Sequence, residues 1–175
     1  QRLAPVHWSR AGDLVPIDDQ YGTPGGGVLN EPWSINMYTD DRAFKGGSFG
    51  LVSTAADSWR YAQAMLNGGV LAETRILGPR TVAFMSRDPL NVQQRASRIA
   101  GSGFGLGFGN ILDAALFGGL YKDGSIYWSG AAATSFWIDP AEDLVVVAMT
   151  QHRAVPLALA ARWELAALVY AALID

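Results

Sequence analysis

The 175 residues are half apolar and 17% charged, which predicts one domain with a sizeable core and excludes a disordered tail. A net charge of −3, with 13 scattered Lys and Arg, leaves no basic surface for nucleic acid. With no cysteine and only His7 and His152, we expect no disulfide, no metal site and no other cofactor.

The first 47 residues are rich in Pro, Gly, Asp and Asn, and turn-forming clusters interrupt every candidate helix. We expect residues 1–47 to be an irregular connecting segment and residues 48–175 to be the sheet-and-helix part of a single incomplete domain. The chain does not start with Met, so we expect its natural start further upstream. Its first residues lack the apolar core of a signal peptide; a bacterial-type soluble protein is expected, and the cytoplasm is favoured over the periplasm, which stays open.

Two helices are predicted after this segment. Apolar residues recur at helical spacing over residues 54–67, where Thr54 can cap the helix and Asp57 can complete a capping box. Glycines 68 and 69 end it. A shorter helix is predicted over residues 79–86, with a proline at its first position.

Glycine alternates with large apolar residues over residues 103–109, which predicts a strand whose glycine face lies close to another backbone. No register of these glycines matches G-x-G-x-x-G, so a dinucleotide site is not indicated. Residues 121–124 form a predicted turn, and residues 125–128 the next extended segment.

Two β-rich runs, residues 134–138 and 144–150, predict an antiparallel hairpin. The second run is apolar on both faces, which is typical of a central strand buried on both sides. A closing helix over about residues 156–173 is almost apolar all round and should pack on this sheet. Arg162 and Glu164 interrupt it, so we expect no membrane span. The predicted fold class is α+β, an antiparallel sheet packed by helices.

Residues 46–50 fit the nucleophile-elbow pattern Gly-x-Ser-x-Gly around Ser48. That chemistry needs a strand before the serine, a helix directly after it and a histidine further on. The residues before Ser48 make a poor central strand, and His152 is the only histidine that follows. A glycine turn that enters a strand and helix is therefore favoured over an α/β-hydrolase site.

Other polar residues have equally simple interpretations. The aspartate pairs at residues 18–19 and 40–41 stand in turn-rich segments, where solvated or turn-capping aspartates are common. His7 is interpreted as a loop residue and His152 as a polar residue at a strand end, rather than as catalytic bases.

Small residues dominate the segment from Trp128 to Thr134, just before the predicted hairpin. Small residues allow a ligand to lie against the backbone and to meet main-chain N–H groups, which an oxyanion hole uses. The same residues also permit tight packing, so this pattern alone leaves both interpretations open.

Four segments together carry a family resemblance. Residues 46–69 resemble the glycine turn, the LVSTA-D helix start and the MLNGG helix end of the β-lactamase-like serine hydrolases. Residues 105–108 resemble the family's G-x-G-F strand, and residues 128–134 the W-G-G-A-A-G-T motif of its esterase-like branch. Residues 136–151 are similar to its F-W-V-D-P-E-x-D-L…M-T-Q ending. The family includes class C β-lactamases, family VIII carboxylesterases and relatives of penicillin-binding proteins, and the resemblance implies the C-terminal part of a β-lactamase/transpeptidase-like fold.

The resemblance also implies roles for four residues. Trp128, Ser129 and Gly130 take the position of the family's Lys-Thr-Gly motif, on the sheet's edge strand, and would line the acyl-binding cleft. The Ala131 N–H would be the second oxyanion donor, beside that of the nucleophile. Because Trp128 replaces a lysine that helps to bind a substrate carboxylate, neutral esters are favoured as substrates.

The chain departs from the family in its catalytic motifs. The family's nucleophile stands in Ser-x-x-Lys, but Arg42 and Gly119 precede the only lysines, Lys45 and Lys122, by three positions. No tyrosine is followed by Asn two residues later, so Tyr-x-Asn is missing as well. We therefore expect a C-terminal fragment of a serine esterase or β-lactamase-like enzyme that is inactive alone and has no catalytic residue of its own.

Two other functions stay open: a non-catalytic binding or structural module of the same fold, and the α/β-hydrolase that would use Ser48. The partners implied by the resemblance are a small-molecule ester or amide in the parent protein and a second polypeptide segment. Without the N-terminal strands of the family, residues 144–150 become a bare sheet edge. We expect this edge to pair with the missing N-terminal segment or with a second copy.

Overall fold

The computed structural model describes residues 7–10, 13–16, 51–130, 132–152 and 155–174. In these ranges an antiparallel sheet is packed by helices, which confirms the predicted α+β class. The helices are α1 (Ala55–Leu66), α2 (Pro79–Met85), α3 (Val92–Arg95), α4 (Ala114–Phe117) and α5 (Val155–Ala171). The strands are β1 (His7–Arg10), β2 (Asp13–Pro16), β3 (Val70–Leu71), β4 (Thr74–Arg75), β5 (Ser102–Phe104), β6 (Gly109–Ile111), β7 (Ile126–Ser129), β8 (Ser135–Asp139) and β9 (Leu144–Ala148).

The main sheet of the described part has the strand order β5-β6-β7-β8-β9, and every neighbour is antiparallel. Its strands alternate between two apolar cores because successive side chains point to opposite faces. On one face Ile126 and Ile138 pack with Met65 of α1. On the other face Tyr127 and Trp137 pack with helix α5.

Helix α1 begins and ends as its sequence predicts. The Thr54 hydroxyl oxygen accepts the Asp57 N–H at 3.1 Å and donates to the Asp57 carboxylate at 2.9 Å. Gly68 and Gly69 follow the helix with φ of +68° and +93°, a backbone region that glycine enters without steric cost. Helix α2 is confirmed as well, with Pro79 as its first residue.

The single strand predicted over residues 103–109 is wrong, because these residues form the β5–β6 hairpin and its turn. Gly105 lies against α2, where an added Cβ would come within 2.1 Å of the Met85 carbonyl oxygen. The same carbonyl accepts the Leu106 N–H at 3.0 Å, and Gly107 has a φ of +92°. The glycines thus serve a tight turn and a close backbone approach, not one continuous glycine face.

Among the described residues, strand β9 is not the central strand that its composition predicts, but the sheet edge that is expected without the family's N-terminal strands. Both of its faces are packed, since Val146 contacts the α5 core and Val145 the α1 core. In the described part, however, β9 pairs only with β8 and ends the sheet. The apolar pattern indicates that both faces of the strand are buried. It does not indicate how many neighbouring strands pair with it.

A β-hairpin, β1–β2, lies within the segment that was expected to be irregular. The His7 N–H donates to the Gln151 carbonyl oxygen at 2.7 Å, and His7 forms a parallel bridge with His152. The prediction that His7 is a loop residue is therefore wrong, whereas His152 does lie just beyond a strand end. The aspartate pairs at 18–19 and 40–41 and Ser48 lie outside the described residues.

Helix α5 packs on the sheet as predicted, and its arginine is buried rather than solvated. Arg162 is 5% exposed, and its guanidinium carbon lies 5.2 Å from the ring centre of Tyr127 and 5.4 Å from that of Trp163. Among the described residues no helix combines the length and apolarity needed to cross a bilayer.

A buried polar contact joins the end of α5 to the β8–β9 hairpin. The Tyr170 hydroxyl donates to the Asp139 carboxylate at 2.6 Å. Asp139 is fully buried and also accepts the N–H groups of Ala141 and Glu142. Burial, together with the hydrogen bond to Asp139 and its negative charge, raises the pKa of Tyr170 far above its usual value. Burial also raises the pKa of nearby Tyr121 to about 12.

These two tyrosines predict a loss of stability in alkaline solution. Above about pH 10 a tyrosine in the unfolded chain releases its proton, whereas folded Tyr121 and Tyr170 retain theirs. Proton release then favours the unfolded chain, so the stability present below pH 10 should fall by up to about 1.4 kcal/mol per pH unit for each tyrosine. Urea unfolding of the unchanged chain and of Tyr121→Phe between pH 9 and pH 12 measures this, and equal slopes for the two would contradict it.

Candidate functional site

The predicted cleft residues Trp128 and Ser129 end strand β7, the third strand of the described sheet. Strand β6 pairs with β7 only at Ile126 and Tyr127, so the last two residues of β7 extend beyond it. On the other side they keep their pairing with β8. The edge-strand position implied by the resemblance is therefore wrong for β7 as a whole, but on the β6 side no described strand pairs with Trp128 or Ser129, and we call this the open end of β7.

The turn after β7 is tight and contains a strained residue. The Gly130 N–H donates to the Thr134 carbonyl oxygen at 2.8 Å, and the Ala133 N–H donates back to the Gly130 carbonyl oxygen at 3.1 Å. An added Cβ on Gly130 would lie 2.3 Å from the Thr134 hydroxyl oxygen. Ala133 has a φ of +62°, and the family motif has glycine at this position. Ala131 lies outside the described residues, so its oxyanion role stays a prediction.

The segment after β9 fixes this turn from the side. The Ala132 carbonyl oxygen accepts the His152 N–H at 3.2 Å and also accepts the hydroxyl proton of Thr150. Two donors on one carbonyl hold Ala132 to the segment after β9. Sequence reasoning missed Thr150, although it stands in the M-T-Q ending that carried part of the resemblance.

An aromatic pair and an arginine lie beside the open end of β7. Trp128 is 40% exposed, and its ring meets that of Phe104 edge-on, with centres 5.1 Å apart. The guanidinium carbon of Arg98 lies 4.9 Å from the Phe104 ring centre and 5.8 Å from that of Trp128. Both distances are within the range of a cation–π interaction. Arg98 was not among the predicted site residues, because no motif surrounds it.

Asp88 holds the Arg98 segment against strand β5. Its carboxylate accepts the N–H groups of Leu90 at 3.0 Å and Phe104 at 3.2 Å, and Arg95 Nε lies 2.6 Å from its second oxygen. Burial by itself raises the pKa of Asp88, but the two hydrogen bonds and Arg95 outweigh it and leave the pKa below its usual value. Asp88 is thus an anchoring carboxylate whose charge is already compensated.

The fold and the site together define a class of protein. The antiparallel sheet with a helix on each face has the β-lactamase/transpeptidase-like fold of the solved structures that it superposes on. The chain superposes over 86% of its length on 39% of EstCE1, "a hydrolase with promiscuous acyltransferase activity", with a TM-score of 0.72 and 26% identity. It also superposes over 96% of its length on 42% of simvastatin synthase LovD from Aspergillus terreus, with a TM-score of 0.69 and 19% identity, a likeness of fold alone.

The family model described as Beta-lactamase matches residues 3–171, and the chain belongs to this family of β-lactamase-like serine hydrolases. Among curated proteins, it is 34% identical over 112 residues to Protein Rv1367c of Mycobacterium tuberculosis strain H37Rv. The uncharacterized protein MT1414 of strain CDC 1551 matches equally. The match covers 59% of this chain and 28% of each relative, so the chain spans only a minor part of their length.

Proposed function

We propose that this chain forms the acyl-binding wall and oxyanion cradle of a serine esterase whose nucleophile comes from a segment outside these 175 residues. The observation that carries the proposal is the open end of β7, followed by a loop that Thr150 and His152 hold in place. Family membership supports the serine-hydrolase chemistry, and the hydrolase and acyltransferase title of EstCE1 favours ester substrates.

In the proposed reaction, the serine oxygen of the other segment attacks the ester carbonyl carbon, while the lysine of Ser-x-x-Lys takes the serine proton and later gives it to the leaving alcohol. The carbonyl oxygen becomes an oxyanion, which the Ala131 N–H and the N–H of the nucleophile stabilise. The alcohol leaves, an acyl-enzyme remains, and water releases the acid. Trp128, Ser129 and Gly130 line the cleft on this side, so this chain contributes positioning and charge stabilisation rather than bond-making groups.

Strand β9 is the proposed contact with the other segment. It is the last strand of the described sheet, and its faces are already packed by the α1 and α5 cores. Its outer main-chain edge pairs with no strand in the described part of the chain, so it can accept a further strand. We propose that the N-terminal segment of the parent protein pairs there. A second copy of the chain is the alternative occupant.

Hydrolysis of 4-nitrophenyl acetate tests the proposal. The 175-residue chain alone should show only background release of nitrophenolate, because it has no Ser-x-x-Lys and no Tyr-x-Asn. The same chain extended by its in-frame upstream segment should turn the ester over. Replacing the serine of the upstream Ser-x-x-Lys by alanine should abolish that turnover.

Two further outcomes discriminate the alternatives. Ser48→Ala in the active, extended chain should leave turnover unchanged, and its loss would instead favour the α/β-hydrolase mechanism. Equal turnover with and without the upstream segment would overturn the missing-nucleophile proposal. An upstream segment that lacks Ser-x-x-Lys would favour the non-catalytic binding module.

A further inference from the structure

We propose that Arg98, Phe104 and Trp128 form a carboxylate-binding subsite beside the acyl cleft, so that the preferred ester or amide substrate carries a carboxylate. The substrate assignment rests on the proposed function, whereas binding of a carboxylate at these residues does not. Nothing in the sequence pattern around Arg98 indicates such a site.

The first step of the argument is the placement of the guanidinium. Arg98 lies over the Phe104 ring, with Trp128 beside it, at 4.9 Å and 5.8 Å from the two ring centres. A guanidinium that stacks on an aromatic face keeps its N–H donors in the plane of the group, directed away from the ring. That geometry suits a planar anion that binds with two parallel hydrogen bonds.

The second step is the charge balance. Asp88, whose carboxylate accepts the Phe104 N–H, is already paired with Arg95 and with a second main-chain N–H group. Within the described part of the chain Arg98 forms no ion pair, and its Nε is buried without a hydrogen-bond partner. No described carboxylate therefore compensates the charge of Arg98, and a carboxylate that reaches its outer guanidinium nitrogens can pair with it.

The third step concerns specificity. In the family motif a lysine precedes the Thr-Gly pair, and its replacement by Trp128 led to the expectation of neutral substrates. The structure brings a cation from a different element, the segment between α3 and β5, to within 5.8 Å of the Trp128 ring centre. Trp128 then contributes an apolar surface, and Arg98 contributes the positive charge. We therefore expect the preferred ester to carry a carboxylate, rather than to be neutral.

Binding of two matched small molecules tests this subsite in the chain as it exists. Phenylacetate carries an aromatic ring and a carboxylate, and phenylacetamide has the same shape without the charge. We expect phenylacetate to shift the nitrogen–proton resonances of the Trp128 indole and the Arg98 Nε in a saturable way at millimolar concentration, and phenylacetamide to leave them unchanged.

Variants distinguish binding of the carboxylate by Arg98 from an effect of the Arg98 side chain on packing. Arg98→Ala should abolish the phenylacetate shift at Trp128, and Arg98→Gln should do so while it preserves much of the side chain's length. Arg60→Ala removes the same charge from an exposed position on α1 and should leave binding unchanged. Circular dichroism of each variant checks that the fold is retained.

Equal shifts with phenylacetamide, or an undiminished shift in Arg98→Gln, would overturn the subsite. So would the absence of any shift with phenylacetate in the unchanged chain. Because the experiment measures binding without turnover, a failure of the esterase proposal does not alter its result. Conversely, an active esterase that binds no phenylacetate would refute only the subsite.

Discussion

Replacing Asp139 by alanine is expected to lower the free energy of unfolding by about 3 kcal/mol or more. Asp139 is fully buried, and it accepts the Tyr170 hydroxyl and two main-chain N–H groups of the β8–β9 turn. Alanine fills little of that space, leaves the buried Tyr170 hydroxyl without its acceptor at a cost of about 1–3 kcal/mol, and removes the acceptor of two part-buried main-chain N–H groups at a smaller cost each. Urea unfolding at neutral pH measures the loss.

Two comparisons make this prediction specific to the buried contact. Tyr170→Phe keeps the ring and removes only the hydroxyl donor, so its loss should be smaller, about 1–2 kcal/mol. Glu73→Ala removes an exposed carboxylate from the β3–β4 turn and should change stability by less than about 0.5 kcal/mol. If Asp139→Ala were no more destabilising than Glu73→Ala, the Tyr170–Asp139 contact would not be what secures α5 to the sheet.

The elements that the sequence predicted well are those whose signals are local. The Thr54 cap, the glycines after α1 and the proline that opens α2 each act within a few residues, so their pattern alone determines where a helix begins or ends. The β8–β9 hairpin is equally local, since its two strands are separated by one short turn.

The errors arose where a pattern depends on distant residues. The glycines of residues 103–109 form a turn because the Met85 carbonyl lies against them, and Met85 belongs to another element. Strand β9 is apolar on both faces because two helices cover it, yet it ends the described sheet. Periodicity identifies which side chains are buried, and it leaves strand order open.

The candidate site also contains residues that the sequence identifies and residues that only the fold identifies. The small residues after Trp128 are contiguous and could be found from the sequence, because main-chain exposure needs only short side chains in a row. Arg98 and Thr150 come from separate segments, and only the fold brings them to that loop and to the ring of Trp128. A lone arginine between turns carries no sequence signal for binding.

The largest expected effect on catalysis concerns one main-chain N–H. In the extended, active chain, replacement of the Ala131 peptide nitrogen by an ester oxygen removes the proposed second oxyanion donor and leaves the side chain unchanged. Loss of one oxyanion donor costs about 10²–10³-fold in kcat, because the donor stabilises charge that is present only in the transition state. KM should change little, since the neutral ester carbonyl depends less on this hydrogen bond.

The same backbone substitution at Ala132 is the matched control. It alters the loop by one atom in the neighbouring peptide and leaves the Ala131 N–H in place. The Ala132 carbonyl oxygen, which accepts from His152 and Thr150, also remains available. A large fall in kcat at Ala131 with a small one at Ala132 is the expected result of hydrolysis assays. Similar losses at both positions would mean that the loop acts through its shape, and that the oxyanion donor lies elsewhere.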